Sequence, residues 1–373
     1  MKNLPGTIWP SEEQRLLFTA ALGEPAPAAA AWQAMRPDGS IEELEDGSFP
    51  LLPLVYRNLS LAGHDDFDLQ RLKGIYRRAW VRNNLLVERT ESISKALDEK
   101  RFRVEFVEGV TLASRFYDEL ALRPTSLVDI LVAREDRRSA LAALARIGWG
   151  ERRDLAPGGD DASYLFDEQG NACVVQTSLA PDLMSNPASG PETFLWEPGD
   201  RHPVGDVAIP VPPPTETLFA VCVGHARVEG VRNLQWIADA KMVLQVDVDW
   251  QRIVALARAS GQISRLHDAL VCLRDLAGPK PPQEVCNELA ATAEGRRQRI
   301  SYLCSVGAIW GPGALPALVG EHIAGTADRS FLGVVAAFPG FLRRRWNLAR
   351  TWHVPFAAGK RALRLLGDAG RAT

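Results

Sequence analysis

The sequence predicts an α+β fold in which a small mixed β-sheet is flanked by largely α-helical N- and C-terminal regions. Three observations carry that expectation. Short apolar runs of strand length, Val104 to Val107, Val128 to Val132, Ser163 to Asp167 and Ala172 to Leu179, fall between residues 101 and 214 and are bounded by glycine and other turn residues. Both flanks carry apolar residues at helical spacing instead. At 373 residues, with 46% hydrophobic and 24% charged side chains, the chain is large enough to bury a substantial core. The expected division is a helical region over 1–100, an α/β core over 101–214, and a helical domain with a basic amphipathic end over 215–373.

In chain order, Ser11 followed by Glu12 and Glu13 starts a helix that runs to Leu22, and a second is expected from Ala28 to Met35. A polar connector from Pro37 to Phe49 leads to an apolar helix at Leu51 to Leu61. Phe67 to Lys100 has one unbroken helical period, and its basic residues, Arg71 to Arg82, are expected to face water. Val104 to Val107 reads as a strand that Gly109 breaks. Val110 to Leu120 is then expected to be helical up to Arg123-Pro124, since a residue before proline is pushed out of the α region. The strand Val128 to Val132 holds one carboxylate, Asp129, which is costly on an apolar strand unless it is used. A helix with Ala140, Leu141, Leu144 and Ile147 on its inner face ends at Gly148, and Glu168 to Asn171 turns one strand into the next. Pro181 to Pro214, rich in proline, glycine and aspartate, is expected to be a long loop without a second sheet. Thr215 is expected to cap a helix, and the rest of the chain reads as helical.

The stretch Glu108-Gly109, a helix, then Arg123-Pro124-Thr125-Ser126-Leu127-Val128-Asp129 and an apolar strand resembles a bacterial nucleotidyltransferase family of unassigned substrate. In that family the pattern is Lys-Gly, a helix, and Arg-Pro-x-Ser-Asp-x-Asp. The likeness extends from Leu51-Leu52-Pro53-Leu54-Val55-Tyr56-Arg57 through Leu218 to Asp239 and on to Gly278. The resemblance implies transfer of a nucleoside monophosphate from a nucleoside triphosphate to an acceptor of peptide or sugar class. It implies Asp129 and Glu108 as catalytic residues, Asp129 as metal ligand, and Mg²⁺ as cofactor. Gly109, Thr111, Arg123, Ser126, His225 and Arg232 are implied as nucleotide contacts.

Such chemistry asks for paired Mg²⁺ ions held by several carboxylates, and acids at i and i+2 of one strand suit it because alternate side chains share a face. Here Leu127 stands at the place of the first acid, Val174 at that of the third, and Glu108 at that of the base before the glycine. One carboxylate cannot hold two ions, so transfer is expected to be impaired or lost. The alternative is a non-catalytic binding or scaffold protein for a peptide, a nucleotide or a protein partner.

A net charge of −3 argues against binding nucleic acid over the whole surface. The region from Arg343 to Arg364 departs from that average, with arginines and a lysine interleaved with Trp346, Trp352 and Phe356. It offers a peripheral membrane or nucleic-acid contact. No run is long enough for a membrane span and no secretory signal opens the chain, so a cytoplasmic location is expected. The five cysteines form no CxxC pair, and Cys222 and Cys272 are expected in the core.

Overall fold

In a computed structural model the structure describes residues 8–35, 41, 44, 46–64, 67–98, 102–152, 162–177, 200–224, 234–278, 280–305, 318–320, 322–323, 326, 331–346 and 348–359. Helix α1 (Glu12–Leu22) starts where Ser11 and Gln14 cap each other's backbone amides. Helices α2 (Pro25–Met35), α3 (Leu52–Leu61) and α4 (Phe67–Asp98) follow. Buried Asn58 of α3 donates to the carbonyls of Ala20, Ala21 and Gly23, which would otherwise be left without partners at the end of α1.

The main sheet has five strands in the order β1-β2-β5-β4-β3: β1 (Val104–Phe106), β2 (Leu127–Val132), β3 (Gly150–Glu151), β4 (Ala162–Phe166) and β5 (Ala172–Gln176). β2 and β5 are parallel and the other neighbours antiparallel, so the sheet is mixed. Its helix-covered face carries Val104, Phe106, Val128, Ile130, Val132, Leu165, Cys173 and Val175. They pack on Leu86, Ile93 and Leu97 of α4 and on Ala140, Ala143 and Leu144 of α6 (Arg137–Arg146). Asp167 holds the β4–β5 turn by accepting from the amides of Gln169 and Asn171 and pairing with Arg89.

Several local expectations are corrected. α5 (Val110–Phe116) stops seven residues before Arg123, because Tyr117 turns to extended backbone and buries its ring, and a short 3₁₀ turn at Leu120–Leu122 completes the connection. Ile147 is 40% exposed and does not belong to the inner face of α6. The stretch expected to be a plain loop contains a second sheet, the hairpin β6 (Arg201–Val204) and β7 (Val207–Pro210). Its turn residues are Gly205, with φ +57°, and Asp206, a pairing suited to tight hairpins. The Asp206 amide donates to Glu91 of α4, and Val204, Ile209 and Val211 join the sheet's core. α7 (Pro214–Gly224) starts two residues earlier than a cap at Thr215 would place it. Thr215 lies inside its first turn, and its hydroxyl accepts from the Asp249 amide instead of capping.

Helices α8 (Gln235–Val243), α9 (Trp250–Ser260), α10 (Ile263–Ala277), α11 (Gln283–Ala291), α12 (Arg296–Ser305) and α13 (Phe331–Arg345) follow among the described residues. Among the described residues the N-terminal helices share a core with the C-terminal ones. Leu17, Trp32, Leu54 and Leu72 share one cluster with Phe219, Ile237, Leu256 and Leu270. α4 reaches both cores, with Leu72 in the helical one and Leu86, Ile93 and Leu97 in that of the sheet. All five cysteines are buried thiols.

Candidate functional site

The site face is the side of the sheet turned away from α4 and α6. Period-two alternation puts Leu127, Asp129 and Leu131 of β2 on it. In the parallel ladder Leu127 lies opposite Ala172, Asp129 opposite Val174 and Leu131 opposite Gln176. Val174, expected from the resemblance at the place of the third acid, therefore sits directly beside Asp129. Half-buried Asp129 has apolar neighbours at the two positions that would share a metal with it. A pair of Mg²⁺ ions does not fit this donor set, and among the described residues no group of three or more His, Cys, Asp or Glu side chains is placed to hold a metal.

The loop ahead of β2 is built around Arg123. Its Nε and Nη2 donate to the two carboxylate oxygens of Asp239 on α8, at 2.7 and 2.9 Å, and its Nη1 donates to the Gly109 carbonyl at 3.0 Å. Tyr117 Oη donates to the same Asp239 at 2.7 Å. Burial alone would lower the guanidinium's pKa, but the Asp239 charge more than offsets it and Arg123 is held above its ordinary value. Burial, then the Asp239 charge, keep the Tyr117 hydroxyl well above its ordinary value, so it stays a donor. Asn83 of α4 closes the other side, donating to the carbonyls of Leu120 and Arg123 and accepting from the Thr125 amide.

Arg123 thus joins the glycine turn to the helical region, and the residue implied as a nucleotide contact has its guanidinium nitrogens taken up by protein. Both oxygens of Asp239 are taken up by this clamp. Gly109 is also needed by the chain itself. Its φ is +61°, and a Cβ there would lie 2.6 Å from the Leu127 carbonyl oxygen. Thr111 is buried, and its amide donates to the Glu108 carbonyl. Glu108 is half-buried near Arg123, whose charge it helps to hold. Ser126 is exposed, and its carbonyl accepts from Arg82. Arg115 of α5 donates to the Pro212 carbonyl and lies near Asp200. His225 and Arg232 lie outside the described residues.

A further acid on this face escapes the motif. Glu105 of β1 lies opposite Leu131, on the same face as Asp129 and two residues along the ladder from it. It is 3% exposed, and its Oε2 finds no hydrogen-bond donor among the described residues. Burial first, and the Glu216 carboxylate second, push its pKa up to about 8, with Arg103 opposing. Glu216, on α7, accepts from Arg252 Nε at 2.9 Å. The signal was present in Val104-Glu105-Phe106, where alternation sends the central acid away from its apolar neighbours.

A small mixed sheet with an acid-bearing strand after a glycine turn, set against a helical region, defines a nucleotidyltransferase-like α+β protein. The model of a family described as an uncharacterised nucleotidyltransferase matches residues 50–278, and the chain belongs to that family. Among solved structures, an antigenic nucleotidyltransferase-like protein from Paracoccidioides brasiliensis is similar at 13% identity and a TM-score of 0.35, over 58% of this chain and 96% of that one. No curated protein matches the chain.

Proposed function

We propose that this chain uses a nucleotidyltransferase fold for binding, with transfer of a nucleoside monophosphate lost or strongly impaired. The observation that carries this is the β2–β5 register, which sets Asp129 beside Val174 and on one face with Leu127. Two-ion phosphoryl chemistry needs several carboxylates to hold the paired ions, and this face offers Asp129, half-buried between Leu127 and Val174, with Glu105 as the other acid. Glu105, protonated over much of the neutral range, does not restore the missing charge. A nucleoside triphosphate is the ligand class that the family suggests, entering at the edge that Ser126 exposes, with Asp129 as the acid for a single Mg²⁺. Arg123 and Gly109 act as positioning residues that hold this edge in shape.

The test is calorimetric titration of the full chain with ATP, GTP, CTP and UTP, with and without Mg²⁺, together with Asp129→Ala and with Leu127→Asp/Val174→Asp. The expected result is weak binding in the wild type that Asp129→Ala reduces further, no release of pyrophosphate, and tighter Mg²⁺-dependent binding in the double variant. Stoichiometric pyrophosphate release by the wild type overturns the loss of transfer. Absence of any nucleotide binding overturns the nucleotide assignment and leaves the scaffold for a peptide or protein partner.

A further inference from the structure

From Arg329 to Gly367 the chain carries eight lysine and arginine residues and no acid, although its net charge overall is −3. Within this region α13 and residues 348–359 fold on each other around Leu318, Leu342 and Val354, with Phe338, Phe341 and Trp346 partly buried against them. That small core uses only part of the apolar content. Leu332 is 78% exposed, Val335 56%, Trp352 60% and Phe356 72%. Leu332 and Val335 are spaced i, i+3 on α13 and so share a face. Trp352 and Phe356 stand edge to face, with ring centroids 6.3 Å apart. Arg344 and Arg350 are exposed in the same region.

Exposed aromatics between arginines suit either stacked bases or a lipid surface. The aliphatic pair decides between them. Leu332 and Val335 offer a base neither hydrogen bonds nor a stacking surface, whereas the boundary between headgroups and acyl chains takes aliphatic and aromatic side chains alike. Among the described residues no helix is long and apolar enough to cross a membrane, so the contact is with the surface.

We propose that this C-terminal region lies on an anionic bilayer, with Leu332, Val335, Trp352 and Phe356 in the interface and the arginines against lipid phosphates. The contact is independent of the nucleotide reading, since none of these side chains belongs to the core of the sheet.

The experiment is co-sedimentation of the full chain with vesicles of phosphatidylcholine alone and of phosphatidylcholine with phosphatidylglycerol, at low and high salt. Binding is expected with the anionic vesicles and is expected to weaken with salt. Arg343→Gln/Arg344→Gln/Arg350→Gln should weaken it roughly fivefold per arginine, on the order of a hundredfold in all. Trp352→Ala/Phe356→Ala should weaken it at least about tenfold. Both variants should titrate nucleotide as the wild type does, and unchanged far-ultraviolet circular dichroism keeps a folding failure apart from a lost contact. The proposal is overturned if anionic vesicles do not bind or if either variant binds them undiminished. It is equally overturned if single-stranded or duplex oligonucleotides bind through the same arginines in place of vesicles, or if Trp352→Ala/Phe356→Ala converts a dimer to a monomer.

Discussion

Replacing Glu105 with glutamine should make the protein more stable at alkaline pH and leave it nearly unchanged in mild acid. Glu105 has an ordinary carboxyl value of 4.5 when unfolded and one of about 8 when folded. Between those values the folded chain holds a proton that the unfolded chain has released. Folding therefore takes up a proton, and stability falls as pH rises through the window, becoming flat above it. At about 1.4 kcal/mol per pH unit the ceiling is about 5 kcal/mol, and local relaxation with water entry brings it to roughly 2–3 kcal/mol. Glutamine keeps the shape and loses the titration. In urea denaturation, the gain of Glu105→Gln over the wild type should grow from near zero at about pH 5 to roughly 2–3 kcal/mol at about pH 8.5. Parallel pH profiles for the two proteins, or a wild type favoured at the alkaline end, would refute the reasoning, because Glu105 would then be ionised and well partnered in the folded state.

Two other changes probe the clamp and the turn. Arg123→Lys keeps the charge but cannot bond both oxygens of Asp239 and the Gly109 carbonyl together, and should cost about 3 kcal/mol in urea denaturation. Weaker nucleotide binding at unchanged stability would instead make Arg123 a ligand contact. Gly109→Ala forces a side chain into left-handed backbone and against the Leu127 carbonyl, and should lower stability by about 2–3 kcal/mol in thermal unfolding. An unchanged melting temperature would mean that the turn relaxes without strain.

The architecture was legible where one period dominates. Phe67 to Asp98 holds a helical stripe with no proline, and the Asp129 strand stands between clear breakers, so both appear nearly as their residues indicate. The β6–β7 hairpin was hidden because Pro203 and Pro210 lie inside its strands, where proline normally argues against a ladder. The early end of α5 was also out of reach, since it depends on Tyr117 meeting Asp239, 122 residues away. At the site, alternation alone gave the face shared by Leu127 and Asp129. The partners of Arg123 were not readable, because a motif arginine has the same local sequence whether it meets a phosphate or a buried aspartate.

The length of α4 bears on how this molecule can respond to what it binds. Its 32 residues span about 48 Å as a single helix, and that helix is anchored in both cores. The Arg123–Asp239 clamp adds a second tie between the sheet and the helical region. Hinged transferases close by letting a few linker residues absorb a rotation between lobes. A rod embedded at both ends leaves no such linker along α4, so a ligand arriving at the sheet is met by a frame already set. On the binding function proposed above, recognition would be a matter of rotamers and loop edges, with little swing available to shut water out.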